Sequence, residues 1–121
     1  MSSELSSGKM TSAPVTIKPW GWEKLWALSE GYAGKILHIN PGHRLSKQYH
    51  EIKEETLYVL KGILINYDKD DKPMRIPPGE SFHVVPNQIH RFGALESSVE
   101  VIEVSTPHLN DVVRLEDDYS R

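Results

Sequence analysis

Gln48, His50, Glu55 and His90 are the residues of this chain whose types and spacing bear most directly on chemistry. They offer an amide oxygen, two imidazole nitrogens and a carboxylate. Gln48 and His50 are alternate residues, so on a β-strand they share one face. Glu55 follows His50 by five residues, and His90 lies far downstream. A strand, a short turn carrying Glu55 and a returning segment carrying His90 would close an oxygen/nitrogen metal site. All four donors are hard or borderline. They suit zinc first, with manganese, iron, cobalt or nickel also accommodated. Glu55 is the only formally negative member, so a divalent ion held there keeps net positive character and acts as a Lewis acid.

The elements that must position these residues read as short strands broken by turns. Turn signals fall at Pro41-Gly42, at Asp68 to Pro73, at Pro77-Pro78-Gly79 and at Pro86-Asn87. Between them the pattern predicts strands over Trp22–Leu28, Lys35–Ile39, Leu45–His50, Thr56–Lys61, Ile63–Tyr67, Lys72–Ile76, Ser81–Val85, Arg91–Ala94 and Val99–Ser105. Many short strands at this spacing indicate an all-β sandwich or barrel. The acidic C-terminus is the one stretch where a helical stripe is considered. Leu57-Tyr58-Val59-Leu60 is apolar on both faces, which predicts cover on both sides. One side faces the barrel interior; the other meets a second sheet, a partner subunit or a loop of the same chain.

Bulk composition narrows the function classes. The 121 residues include 14 Lys+Arg and 17 Asp+Glu, for a net charge of -3, and no cysteine. One domain is expected, large enough to bury a core without staples. Thiolate metal sites and disulfides are excluded. No basic block marks a nucleic-acid surface, and no apolar run approaches the ~20 residues of a membrane helix. The Ser-rich start lacks the apolar centre of a signal peptide. The expectation is a soluble cytoplasmic protein with a disordered tail over 1–13 and a folded domain over 14–121.

The segment from Gly42 to Gly62 resembles the first motif of the cupin superfamily, with Gln48 where that motif has its first histidine. Here glycine precedes the first ligand, then come His50, Glu55 and a second glycine. Both the step from His50 and the six-residue gap to Gly62 favour Glu55 over its neighbour Glu54 as the ligand. The segment from Gly79 to His90 resembles the second cupin motif, with Val85 and Asn87 in place of its proline and glycine. Asn87 is an understandable substitute, because Asn tolerates a left-handed conformation. Within the superfamily, Gln-x-His resembles the type II phosphomannose isomerases. So do Lys18-Pro19-Trp20-Gly21, the stretch Pro41 to Gln48, Pro78-Gly79-Glu80-Ser81, His90-Arg91 and the ending Asp111 to Arg114 with Asp117 to Arg121. The resemblance implies a double-stranded β-helix, the cupin jelly-roll barrel. It also implies a metal on Gln48, His50, Glu55 and His90, and a phosphorylated hexose as substrate, mannose 6-phosphate going to fructose 6-phosphate.

That reaction moves a proton between carbons next to a carbonyl, and it needs a base and a phosphate contact. Lys35 falls where the phosphomannose family has a pocket lysine, and His83 lies on the strand leading to His90; these two are the catalytic candidates. Arg91 and Arg114 are the candidate substrate contacts. His38, His43 and His108 read as surface or packing residues, and Trp20, Trp22 and Trp26 as packing at the barrel mouth. Two rivals stand beside the isomerase: a cupin metal enzyme of another class, such as a dioxygenase, and a non-catalytic sugar- or metabolite-binding module. The two-sided apolar strand and the sheet edges point to a homodimer.

Overall fold

The computed structural model of the chain describes Gly8 and residues 12–119. Most of the expected tail, 1–13, lies outside the described residues. Eleven strands follow one another: β1 (Val15–Lys18), β2 (Gly21–Leu28), β3 (Ala33–Ile39), β4 (Lys47–Tyr49), β5 (Glu55–Lys61), β6 (Leu64–Tyr67), β7 (Pro73–Ile76), β8 (Ser81–Val84), β9 (Arg91–Gly93), β10 (Val99–Ser105) and β11 (Val113–Glu116). No helix of the described residues is long and apolar enough to cross a membrane.

All pairing is antiparallel. A six-stranded sheet runs β1-β2-β3-β10-β5-β8, and opposite it lie β7-β6-β9 and β11-β4. Single bridges Arg44–Gly93 and Gln48–His90 join these two smaller pieces. The core packs between the layers, with Leu37, Ile39, Leu57, Val59 and Val101 against Leu64, Ile76 and Phe92. The sandwich or barrel expected from the turn spacing is present, closed as a double-stranded β-helix.

Alternation decides what enters the interior. On β5, Glu55, Leu57 and Val59 point in and are buried. On β10, Glu103 sits in line with buried Val101 and Ser105. On β3, Lys35 shares the inward row of Leu37 and Ile39. The outer row of β5 is different: Tyr58 and Leu60 each remain 44% exposed. Among the described residues no loop buries that face.

Two strands lie where the residue pattern predicts none. β1 is largely exposed, with Ile17 78% open, and shows no alternation. β11 replaces the helix considered for the acidic C-terminus. It has no apolar stripe and is held by pairing with β4 and by ion pairs just beyond it. Asp118 takes Arg44 at 2.6 Å and buried Arg91 at 2.9 Å, and the Tyr119 hydroxyl bonds His43 at 2.8 Å.

The motif turns are built as their residues require. Gly62 has φ 76°, and a Cβ there would collide with the carbonyl of Ser98. Asn87, at φ 68°, adopts the left-handed conformation anticipated for it. The Gly62 turn leads β5 into β6, and the Asn87 turn precedes His90 and β9.

Candidate metal centre

His50, Glu55 and His90 converge inside the barrel, with one ligand atom from each lying within 4.8 Å of the others. His50 Nε2 stands 3.7 Å from Glu55 Oε2, and His90 Nε2 stands 3.8 Å from Glu55 Oε1. All three residues are buried. Donors on a tetrahedral zinc ion stand about 3.3 Å apart, so small side-chain rotations bring these atoms onto one centre.

Hydrogen bonding fixes which imidazole nitrogens face inward. His50 Nδ1–H donates to the Asp111 carbonyl at 2.6 Å, and His90 Nδ1–H donates to the Gln88 carbonyl at 3.0 Å. Each Nε2 is then an unprotonated acceptor. Both are buried with no hydrogen-bond partner among the described residues. Leaving two such atoms orphaned is costly unless a cation takes their lone pairs. A carbonyl behind each ring is also the usual support for a metal-ligating histidine. The donor set fits a divalent ion.

Gln48 reaches the same pocket from β4, and its backbone exchanges two hydrogen bonds with His90, at 3.0 and 2.9 Å. Ser46 Oγ donates to Gln48 Oε1 at 3.2 Å. The amide oxygen keeps a second lone pair, so Gln48 can serve as a further donor. Glu54, the rival carboxylate, is exposed on the other face and pairs with His83.

Burial pushes the His90 imidazolium down to about 4 from an ordinary 6.5. The unfolded chain therefore takes up a proton near pH 6.5 that the folded ring refuses until about pH 4. Metal-free protein is expected to lose stability as pH falls through that window, by up to about 3 kcal/mol. Urea unfolding midpoints at pH 7 and pH 4.5 check this, and His90→Gln should flatten the slope.

A buried charge cluster backs the ligands. Lys53 Nζ lies 3.0 Å from Glu55 Oε2 and 3.2 Å from Glu103 Oε2. Its approach to Glu103 has ion-pair distance without good hydrogen-bond geometry, which leaves that oxygen without a hydrogen-bond partner. Burial alone would lower the lysine pKa; Glu103 and Glu55 outweigh it and hold the ammonium well above its usual range. Burial, then the nearby Glu55 charge, raises the Glu103 carboxyl against the pull of Lys53. Neither Lys53 nor Glu103 stands out in the sequence pattern. Charged residues in turns and strands are normally solvated, and only the register of β10 reveals that Glu103 faces in.

The pocket of about 130 Å³ above the ligands is also lined by Lys18, Glu23, Lys35 and Arg114. Glu23 bridges Lys35 at 2.9 Å and Lys18 at 3.2 Å. Those cations depress the Glu23 carboxyl despite its burial. Arg114 is the pocket-lining cation without a carboxylate partner among the described residues.

Lys35 and Arg114 thus share the pocket with the ligand set. His83 and Arg91 do not. His83 lies on the outer row of β8, half exposed, bonded to Thr56 Oγ1 and Glu54 Oε2 at 2.8 Å each. β8 pairs Thr56 with His83, and Thr56 is an outward residue of β5. Arg91 is buried behind the ligands, and its guanidinium is taken up by Asp118 and by the Leu45 carbonyl at 2.8 Å. It clamps the C-terminal segment instead of lining the pocket. Of the tryptophans, Trp20 lines the pocket, while Trp22 stacks on His38.

Comparison with known proteins agrees with this architecture. The cupin-domain family matches residues 35–105. Protein SchB of Streptomyces halstedii is 33% identical over 64 residues, covering 53% of this chain and 45% of its own length. The chain therefore matches less than half of that relative. Among solved structures, Pac13, a nucleoside dehydratase, superposes with TM-score 0.74 at 17% identity, covering 93% of each chain; a uridine-bound form identifies its source as Streptomyces. A cupin-superfamily sugar phosphate isomerase from Silicibacter pomeroyi superposes with TM-score 0.63 at 18% identity, covering 70% of this chain and 58% of its own. Structural likeness at such identities bears on fold alone. With the double-stranded β-helix, the inward His-Glu-His cluster and a family match over more than half its length, the chain belongs to the cupin family.

Proposed function

We propose that the chain is a divalent-metal-dependent aldose–ketose isomerase of a small phosphorylated sugar, with mannose 6-phosphate and fructose 6-phosphate the first pair to test. The observation that carries the metal dependence is the pair of orphaned, inward-facing Nε2 atoms beside Glu55. Arg114, which lines the same pocket and has no carboxylate partner among the described residues, supports an anionic substrate. The cupin neighbour described as a sugar phosphate isomerase is consistent with this choice.

A divalent ion on His50, Glu55 and His90, with Gln48 as a further donor, would supply Lewis-acid charge where negative charge develops on the substrate oxygens. The chain's own residues then divide the remaining work. Arg114 holds the phosphate by charge-assisted hydrogen bonds. Glu103 takes the proton from C2 of the aldose and returns it to C1. Its burial raises its basicity into a more useful range for that task. Lys35, fixed by Glu23, serves the hydroxyl proton that moves between the two oxygens. The apolar walls Leu37, Leu45 and Phe92 limit water.

Elemental analysis of purified protein, paired with a coupled assay on mannose 6-phosphate, tests the proposal. About one ion per chain and metal-dependent turnover are expected. A full metal complement with no turnover on any hexose phosphate would exclude the isomerase. Arg114→Ala should raise KM about 10- to 100-fold with kcat little changed, the signature of lost uniform binding; an unchanged KM removes Arg114 from the substrate contact.

A further inference from the structure

Asp111 meets the metal centre from a segment far removed in sequence from either ligand motif. Its carbonyl accepts the His50 Nδ1–H at 2.6 Å. Its carboxylate accepts three successive backbone N–H groups, from Glu51 at 3.1 Å, Ile52 at 2.7 Å and Lys53 at 2.8 Å. One residue thus fixes both the ring of His50 and the turn joining it to Glu55. The chain then enters β11, where Val113 pairs Tyr49 and Arg114 pairs Gln48. The strap that buttresses His50 therefore also brings Arg114 to the pocket. Its far end is tied by Asp118 to Arg44 and Arg91.

We propose that Asp111 is a positioning residue of the metal site, and that this C-terminal strap couples metal occupancy to the seating of Arg114. The inference rests on the metal-site reading above. Without the Asp111 carboxylate, the 51–53 amides lose their acceptor and the turn relaxes. His50 then samples orientations that cannot ligate. Linkage makes the effect reciprocal: if the strap orders His50 for the ion, the ion must stabilise the strap.

The test uses the full chain and Zn2+ alone. Affinity is measured by competition with a chromophoric chelator for wild type, Asp111→Ala and Asp111→Asn. Supporting atoms of this kind alter metal affinity by about 10- to 100-fold, and a loss of that size is expected for Asp111→Ala, with a smaller one for Asp111→Asn. Val59→Ala, a core change remote from the ligands, controls for general destabilisation and should leave affinity unchanged. Hydrogen exchange of wild type should slow at residues 51–53 and 113–116 when Zn2+ is added, by about tenfold or more.

Wild-type affinity in a folded Asp111→Ala variant overturns the proposal. So does an equal loss in Val59→Ala, or hydrogen exchange that ignores Zn2+. If Asp111→Ala does not fold, exchange on wild type decides. A wild-type chain that binds no Zn2+ sinks the metal reading and this inference together; a wild type that binds, with Asp111→Ala binding equally, sinks this inference alone.

Discussion

His50→Ala is expected to empty the metal site. The substitution removes one of two imidazole donors from a centre with few protein ligands to lose. Structural zinc sites of four ligands are worth ~10–16 kcal/mol, or ~2.5–4 kcal/mol per ligand. That corresponds to a loss of about 100- to 1,000-fold in affinity. The geometry argues for the upper end, because no other histidine reaches the cluster: His83 is outside the barrel, and His43 and His108 bond elsewhere. Dialysis of wild type and variant against a weak chelator, followed by elemental analysis, gives the answer. Stoichiometric metal in His50→Ala would mean that the ligand set is misassigned. His83→Ala, by contrast, should retain the full complement.

The convergence of His50, Glu55 and His90 was legible because metal chemistry depends on residue type and spacing within short segments. Gln48 and His50 alternate on one strand, and the motif glycines mark the turns around them. Glu55 could be preferred to Glu54 for the same reason. Most strands were legible from turn residues and β-branched runs, and Val99–Ser105 was read to the residue. What the sequence hides is anything set by long-range register. Glu103 faces the pocket because β10 pairs with β5 and β3 in one particular alignment, and nothing local to it announces that. Arg91 and His83 show the converse. Their types suggested chemistry, but Arg91 is spent on Asp118 and His83 sits on the outer row of β8. β11 was missed because its stability comes from partners distant in sequence, not from any apolar pattern of its own.

Lys53→Met is expected to destabilise the fold by about 3–5 kcal/mol, the usual result of removing one partner from a buried ion pair. Lys53 is 6% exposed, and its ammonium serves two carboxylates at once. Methionine matches its length and leaves no large cavity, so the loss is electrostatic. Glu55 and Glu103 would then face each other in a medium that cannot hold two uncompensated charges. One of them must take a proton, and Glu103 is the carboxyl already raised by burial and by the Glu55 charge beside it. A carboxyl whose folded pKa is raised stabilises the fold while it is protonated and withdraws that support as pH rises. The deficit of Lys53→Met should therefore be largest at neutral pH and shrink towards the ordinary carboxylate range. Adding Glu103→Gln should recover part of it, because the second charge is gone. Urea midpoints across pH 4.5–8 for the single and double variants measure all of this. A single variant as stable as wild type at pH 7, or one whose deficit grows on acidification, would show that Lys53 does not neutralise the pair.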